Sequence, residues 1–391
     1  MGRTYLDYNA TAPLRPEARA AMVAALDATG NASSVHREGR AARKLIEQAR
    51  AEVAGLVGGD ARHVTFTSGG TEANNTVLTP AWSLRGKPHP IDALLVGATE
   101  HVSVLDGGRF SADQVERIPV DSGGVVVLAD LEKSLARLAA TGAQVMVSVM
   151  LANNETGAIQ PVAEIARLAH AAGALVHTDA VQAAGRIPID IAALGVDVLT
   201  LSAHKIGGPQ GAGAVVRAGD ALSFAPLSIG GGQEKRLRAG TENVAAIAGF
   251  GAAARAARAD IGKAAEWAAW RDRIAGLVSG DRKVGGKAVV FSADAARLPQ
   301  TLCFAVPGLP AETLLIALDL AGAAVSSGSA CSSGKVSASH VLAAMGVPTS
   351  LAKCAIRVSL GWDSRESDLD LFASAWRSVL DHIAPGEIQA A

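Results

Sequence analysis

The chain has 391 residues, which is too long for one ordinary hydrophobic core, so two domains are expected. Apolar residues make up 49% and charged residues 19%, a composition typical of a folded protein and not of a disordered one. The formal net charge of −1 gives no overall field that attracts nucleic acid or an anionic membrane, and neither is expected as a partner. Because the apolar stretches are shorter than a membrane span and no apolar signal segment opens the chain, a cytoplasmic location is expected.

Helix and strand patterns alternate through the first two-thirds of the chain. The predicted helices are residues 16–28, 38–57, 128–138 and 162–172, and the predicted strands are 63–67, 93–97, 145–151, 175–178, 198–201 and 212–216. Strand, helix, strand in repetition predicts an α/β fold with a mostly parallel sheet and helices on both faces. Ligands in such folds bind at the carboxyl ends of the strands.

The pattern changes in the last third, where an alanine-rich segment predicts one long helix over residues 245–269. A smaller set of elements follows. The predicted strands are 288–291, 301–306 and 356–359, and the predicted helices are 312–320, 339–345 and 366–383. This set favours a second, smaller α/β domain.

Lys205 closes the tetrapeptide 202–205 (Ser-Ala-His-Lys), which follows an apolar run and precedes a glycine-rich turn. Burying an ammonium group is costly unless it is paired or neutralised, whereas a neutral lysine amine can form a Schiff base with an aldehyde. Upstream, Asp179 ends another strand. An acid followed by a strand-end lysine is how proteins grip pyridoxal phosphate, because the carboxylate holds the pyridinium nitrogen and the lysine holds the aldehyde carbon. The tetrapeptide alone also leaves open a lysine in a surface turn.

The turn 68–72 (Ser-Gly-Gly-Thr-Glu) joins a predicted strand to a predicted helix. Free backbone N–H groups and the positive end of the helix make such a turn a phosphate site, and the Thr71 hydroxyl adds a donor. Taken alone, the turn is more often a capped connection. Beside Asp179 and Lys205, the phosphate interpretation is favoured.

Three further polar residues follow or lie within predicted strands. His101 is placed to stack on a cofactor ring and to move protons, although a lone histidine is more often structural. Asn154 is a candidate ligand for a substrate carboxylate, although turns of its kind are common. Arg357 is flanked by apolar residues and calls for a bidentate anion. A substrate carboxylate and an internal salt bridge are equally open for it.

The cysteines Cys303, Cys331 and Cys354 form an odd set without a close pair, which argues against a disulfide framework. Cys331 lies within 326–334, where every other residue is serine, glycine or alanine. A thiolate on such a tether can reach a substrate and carry a group away, and this reading is favoured over a small hydrophobic residue in a loop.

These segments together resemble the cysteine desulfurases of the NifS/IscS type, within the class V aminotransferase superfamily. The resemblance runs almost end to end, through residues 5–13, 30–36, 68–72, 153–155, 177–182, 202–205, 230–234, 238–241 and 327–331. The Ser-Gly-Ser-Ala-Cys form of the last segment resembles the group with a long mobile loop and not the SufS-like group.

The resemblance implies pyridoxal 5'-phosphate as cofactor, with Lys205 in a Schiff base to it. It places Asp179 at the pyridine nitrogen, Gln182 at the phenolic oxygen and His101 against the ring. The phosphate contacts that it implies are Gly70, Thr71, Ser202 and His204, with Thr241 reaching the cofactor of the neighbouring subunit. A homodimer with shared active sites follows.

On the substrate side, the resemblance implies that Asn154 and Arg357 bind the carboxylate of L-cysteine. Cys331 attacks the substrate sulfur, which gives L-alanine and a Cys331 persulfide for delivery to an iron–sulfur scaffold or another sulfur acceptor. No intrinsic metal site is implied, and the Cys331 persulfide is a candidate transient ligand of an iron–sulfur cluster.

The implied fold is the type I fold of pyridoxal phosphate enzymes. It has a large cofactor-binding domain, residues 15–255, with a mostly parallel sheet of the seven-stranded type. The smaller α/β domain, residues 1–14 and 256–391, carries the cysteine loop.

Two departures from the family pattern stand out. Ala32 replaces a usual proline, which is expected only to loosen that loop, and the chain ends soon after Ile383, without the long tail that relatives use near their scaffold partner. The sulfur acceptor therefore stays open between nitrogenase-linked and general iron–sulfur assembly. Competing interpretations are a selenocysteine lyase or another class V enzyme such as an aminotransferase and, from a different class, a non-catalytic sulfur-carrier or scaffold protein.

Overall fold

The computed structural model describes residues 2–281, 283–284, 288–327 and 339–382. Its largest sheet has seven strands, and the predicted mostly parallel α/β arrangement is confirmed. Across the sheet the strands lie in the order Val64–Thr67, Gly213–Arg217, Val198–Ser202, Leu175–Asp179, Val145–Ser148, Ala93–Gly97 and Val115–Ile118. Only Gly213–Arg217 runs antiparallel to its two neighbours, and the other neighbouring pairs are parallel.

Helices cover this sheet because its strands are apolar on both faces, with Leu95, Val147 and Leu199 fully buried. In this part of the chain the α-helices are Pro16–Leu26, Arg37–Leu56, Gly70–Val77, Val102–Leu105, Leu128–Ala139, Val162–Ala171, Ile191–Leu194 and Val244–Asp260. The helices Arg37–Leu56 and Val244–Asp260 pack very closely. A Cβ added at Gly251 would lie only 2.5 Å from Ala49 Cα.

A separate three-stranded antiparallel sheet was not predicted from the sequence. It consists of Ala81–Leu84, Lys87–Pro90 and Leu222–Phe224. The short second strand contains two prolines, which remove ladder donors and hide the strand from pattern analysis.

The last third of the described chain builds a second hydrophobic core. A four-stranded antiparallel sheet contains Val289–Val290, Thr301–Ala305, Ala355–Ser359 and Ser326–Ser327, and Thr4–Tyr5 pairs with Ala323–Ala324. The helices of this part are Ala264–Gly280, Ala311–Leu320, His340–Ala344, Thr349–Ala352 and Glu366–His382. The ring of Trp376 packs edge-on against Phe304 and stacks on Phe372, with centroid distances of 5.8 and 6.3 Å.

The prediction of one long helix over 245–269 was wrong. Two helices, Val244–Asp260 and Ala264–Gly280, are separated by the 3₁₀ turn Ile261–Lys263. Gly262 lies in the break, and glycine has a low helix propensity. The first helix packs in the larger core, whereas the second buries Trp267, Ile274 and Val278.

The division into residues 15–255 and 1–14 with 256–391 stays a prediction, and the helix Val244–Asp260 continues through its second boundary. Among the described residues, no helix is long and apolar enough to cross a membrane.

The segment that precedes Thr241 has an unusual backbone, because Glu234, Lys235 and Arg236 all have positive φ angles of 46°, 55° and 68°. Each non-glycine residue in the left-handed region costs about 1–2 kcal/mol. A buried ion pair holds this turn. The Glu234 carboxylate accepts from Arg50 Nη1 and Nη2 at 2.7 and 2.8 Å and from the Phe66 backbone N–H at 2.9 Å.

Arg50 also contacts Glu47, whose side chain is 52% exposed, whereas that of Glu234 is 3% exposed. We predict that Glu234→Gln lowers the free energy of unfolding by about 3 kcal/mol, because it leaves the buried guanidinium without its buried counter-ion and with only the exposed Glu47 carboxylate. The control Glu47→Gln should cost less than about 1 kcal/mol, since water screens that pair. Urea unfolding measures the free energy of unfolding of both variants. Equal losses would show that the Arg50–Glu234 ion pair does not stabilise the turn.

Candidate active site

A cavity of about 300 Å³ opens at the carboxyl ends of the strands Leu175–Asp179 and Val198–Ser202. It brings together most of the residues singled out from the sequence. Those in its wall are Gly70, Thr71, His101, Asn154, Asp179, Gln182, Ser202, His204, Lys205 and Arg357.

Lys205 does not end a strand as the sequence suggested. It lies on the 3₁₀ turn Ala203–Ile206, which begins directly after the strand Val198–Ser202. Its Nζ donates to the backbone carbonyls of Asn9 and Ala10 at 2.6 and 2.7 Å. These two hydrogen bonds fix the position of the Lys205 Nζ at the cavity wall.

Asp179 is the last residue of the strand Leu175–Asp179, and the residue is 7% exposed. Oδ1 accepts from the Val181 backbone N–H at 2.9 Å, and Oδ2 accepts from Asn74 Nδ2 at 2.8 Å. Two donors fix the plane of the carboxylate. It can therefore receive a ring N–H of a ligand without rearranging.

The helix Gly70–Val77 begins at the cavity wall, so its amino end provides N–H donors and the positive end of the helix dipole. The preceding turn packs tightly, since a Cβ at Gly213 would lie 2.5 Å from the carbonyl carbon of Gly69. Glu72 closes the turn, with Oε2 accepting from the Ser68 N–H at 2.8 Å. This end of the cavity suits a phosphate.

Two histidines of the wall are kept neutral. Burial lowers the pKa of His204 to about 4, and the positive charges of Lys205 and Arg186 lower it further in the same direction. Burial also lowers the pKa of His101 below its usual 6.5. Neutral imidazoles can donate hydrogen bonds here without adding charge.

Gln182 is oriented by Arg186, a residue not singled out from the sequence. The guanidinium donates to Gln182 Oε1, and Gln182 Nε2 donates to the Asn9 carbonyl at 3.0 Å. Arg186 also donates to the carbonyls of Tyr8 and Lys205. Burial, with the positive charge of Arg357, lowers the pKa of Arg186 to about 9.

Of the two interpretations left open for Arg357, the internal salt bridge is observed, and binding of a substrate carboxylate stays a prediction. Its side chain is 2% exposed and forms an ion pair with Asp7, with Nη2 at 2.8 Å from Oδ1. Nη1 donates to the Asn154 carbonyl at 3.0 Å, and the residue also lines the cavity. The internal salt bridge is present, and the guanidinium remains at the wall where a carboxylate would bind.

Two predicted residues are not in this wall. Thr241 lines a separate cavity of about 160 Å³ with Thr67 and Ser68, beside the phosphate-type turn. Cys331 lies outside the described residues.

The sequence analysis missed several residues of the wall, namely Asn9, Ala10, Asn74, Ser103, Met150, Ala152 and Val181. Asn74 had a usable signal, because it is three residues after Thr71 and therefore on the same helix face. Asn9 and Ala10 belong to the amino-terminal motif 5–13, to which no role was given.

Comparison with known proteins gives the same family as the sequence motifs. A model of the family described as Aminotransferase class-V matches residues 4–372. A protein of Cereibacter sphaeroides named cysteine desulfurase is 42% identical, covering 98% of this chain and 97% of that protein. One of Dictyoglomus turgidum, named cysteine desulfurase IscS, is 38% identical and covers 97% of this chain and 95% of that protein.

The X-ray structure of a NifS-like protein from Rickettsia africae is similar to this chain with a TM-score of 0.84 at 35% identity. The match covers 97% of this chain and 99% of that one. Sequence and fold therefore agree along almost the whole length, and the chain belongs to the class-V aminotransferase family, in its NifS/IscS group of cysteine desulfurases.

Proposed function

We propose that this enzyme uses pyridoxal 5'-phosphate to remove sulfur from L-cysteine, releasing L-alanine and leaving a persulfide on Cys331. The persulfide sulfur is then delivered to an iron–sulfur scaffold or another acceptor. The observation that carries the proposal is the presence of Lys205 and Asp179 in the wall of one cavity that also receives the amino end of a helix.

The cavity suits this cofactor in size, charge and donor set. Its volume of about 300 Å³ falls within the range of small-molecule sites. Arg186 is buried, and its described partners are neutral oxygen atoms, so its positive charge favours an anionic ligand nearby. Gly70 and Thr71 would hold the phosphate, Asp179 the pyridine nitrogen and Lys205 the aldehyde carbon.

When bound, the cofactor supplies an electron-withdrawing ring that stabilises negative charge at the substrate Cα. Asp179 would keep the ring nitrogen protonated, and the Lys205 amine would move protons at the substrate carbons. Arg357 and Asn154 orient the substrate carboxylate. Each of these groups binds or moves a proton, and none of them accepts sulfur.

Cys331 is the proposed sulfur acceptor. Its thiolate attacks the substrate Sγ, the substrate C–S bond breaks, and the electron pair stays on carbon, which takes up a proton. Cysteine and one enzyme thiol thereby become alanine and one enzyme persulfide, with no external oxidant. Low-pKa thiolates on accessible tethers are the usual nucleophiles of this kind.

We predict that Cys331→Ser binds cofactor and L-cysteine but forms alanine and sulfide at least roughly a thousandfold more slowly, because the covalent nucleophile is lost. The matched control is Cys354→Ser, which changes a buried thiol outside the cavity and should keep near-normal turnover. Alanine and sulfide are measured after adding L-cysteine and a reductant. Near-normal turnover in Cys331→Ser would rule out Cys331 as acceptor.

We predict that Gly213→Ala weakens cofactor binding by at least about tenfold, because the new methyl group would displace the Gly69 backbone and the phosphate-type turn with it. The control Gly219→Ala adds the same methyl group where no atom lies within 4 Å. Cofactor affinity is measured by absorbance during titration of the stripped protein. Equal affinity in both variants would disconnect this turn from the cofactor.

Thr241 is proposed to reach the cofactor phosphate of the other subunit in a homodimer. Two observations support this proposal. Thr241 does not line the cavity of its own subunit that contains Lys205, and it follows the turn that the Arg50–Glu234 ion pair holds. The Arg50–Glu234 ion pair would then fix the backbone of the segment that carries Thr241 across the interface.

We predict that mixing two inactive variants, Lys205→Ala and Thr241→Val, restores activity when subunits exchange. If Thr241 acts across the dimer, the heterodimer has one site with both lesions and one with neither. If it acts within its own subunit, both sites keep one lesion and stay inactive. Exchange is verified by mass spectrometry, and exchange without recovered activity would refute the shared site.

A further inference from the structure

A chain of buried hydrogen bonds connects two walls of the cavity through residues that have no role in the proposal above. Asn74 lies at its centre and is 1% exposed. Its Nδ2 donates to Asp179 Oδ2 at 2.8 Å and to Ser103 Oγ at 2.9 Å. Its Oδ1 accepts from Thr200 Oγ1 at 2.6 Å. Ser103 Oγ lies 2.8 Å from Nδ1 of His101.

The direction of the chain follows from the charge of Asp179. An ionised carboxylate can only accept, so Asn74 must turn its amide nitrogen, and not its oxygen, towards it. The second hydrogen of that nitrogen then goes to Ser103 Oγ. The Ser103 oxygen could also accept from the histidine ring, but its own hydrogen would then have no acceptor among the described residues. Donation of the Ser103 hydroxyl hydrogen to the histidine ring satisfies both groups.

His101 receives two donors at the same ring nitrogen. The backbone N–H of Ser103 donates to Nδ1 at 3.2 Å, beside the hydroxyl of the same residue. A protonated Nδ1 would face the amide hydrogen, so it must be the unprotonated acceptor. We propose that Asn74 and Ser103 are positioning residues that keep the ring hydrogen of neutral His101 on Nε2.

The far end of the chain runs in the same direction. Thr200 gives its hydroxyl hydrogen to Asn74, so its oxygen accepts from Nε2 of His177 at 3.1 Å. His177 Nδ1 then accepts from the Ser148 hydroxyl at 2.8 Å. Burial lowers the pKa of His177 to about 3, so that ring is neutral and has a single N–H to give. Reversing the chain would turn the Asn74 oxygen against a carboxylate.

The site therefore contains a neutral His101 ring that carries its hydrogen on Nε2, while Nδ1 is bonded to Ser103. Burial is the main cause that lowers the His101 pKa, and nearby charged groups act in both directions. Those that lower it are Lys205 and His340, and those that raise it are Asp179 and Asp106. The Ser103 backbone N–H can bond Nδ1 only while that nitrogen is unprotonated, and protonation would leave the Ser103 hydroxyl hydrogen without an acceptor among the described residues, so both groups favour the neutral ring.

The test is nitrogen NMR of the full-length protein with ¹⁵N-labelled histidine, recorded on the cofactor-bound form and after cofactor removal. The chain has nine histidines, and the His101 signals are those missing in His101→Gln. In the unaltered protein, Nε2 should show the shift of a protonated ring nitrogen and Nδ1 that of an unprotonated one. A hydrogen on Nδ1 would overturn the proposal.

Ser103→Ala removes the hydroxyl donor and keeps the backbone one. The population ratio of the Nε2–H to the Nδ1–H form should fall about three- to tenfold, as expected for one lost hydrogen bond, and the His101 pKa should rise. Ser103→Thr keeps a hydroxyl and should restore both values. An Ser103→Ala variant with unchanged tautomer ratio and pKa would overturn the proposal.

The matched control is Ser148→Ala, the same change in the same chain but beyond His177, which should leave His101 unaltered. An equal effect of Ser148→Ala would show general loosening instead of positioning. The tautomer proposal rests on the proposed function only for the ligand that His101 faces, namely the cofactor ring. Because the spectra do not depend on turnover, a protein without desulfurase activity would still confirm or refute the tautomer.

Discussion

The cavity depends on one segment outside the helices and strands, residues 7–15, which begins with a turn and contacts both the larger and the smaller part of the structure. On one side, the Asn9 N–H donates to Ser359 Oγ at 2.9 Å and Asp7 pairs with Arg357. On the other, the carbonyls of Asn9 and Ala10 hold Lys205. The segment acts through both backbone and side-chain groups, since Asn9 Nδ2 also donates to the Asn154 carbonyl at 3.1 Å.

Charge is the second organising constraint. Lys205, Arg186 and Arg357 are held close to one small volume, and Arg357 forms an ion pair with Asp7. Lys205 and Arg186 are bonded to carbonyl and amide oxygens, which stabilise a cation without cancelling its charge. Such an arrangement raises the affinity for an anionic ligand, and burial together with the charges of Lys205 and Arg186 lowers the pKa of His204.

The close approach of backbone segments is the third organising constraint. Gly213 brings its strand against Gly69, and a Cβ at Gly361 would lie 1.9 Å from the Tyr8 ring. Both contacts lie next to segments that line the cavity. Small residues therefore act in this site by what they allow to approach, which explains how a chain rich in glycine and poor in aromatic residues can have a well-defined pocket.

How much of this could be predicted from sequence depends on the range of the interaction involved. Local patterns predicted most helices and the parallel strands of the large sheet except Val115–Ile118, because apolar periodicity and chain turns are local properties. The strand-end position of Asp179 and the helix-start position of Thr71 were recognisable for the same reason. The single long helix predicted over 245–269 failed where Gly262 interrupts it and the two halves pack in different cores.

Long-range contacts were decided only by the tertiary structure. Nothing local to Asn9 indicates that its carbonyl meets Lys205, 196 residues away, and nothing local to Arg186 indicates that it orients Gln182 while buried. The sequence by itself determined which chemical groups were available and at which strand ends they would lie. Folding decided which of them share a hydrogen bond, because donor direction, burial and charge compensation depend on neighbours that are distant in the chain.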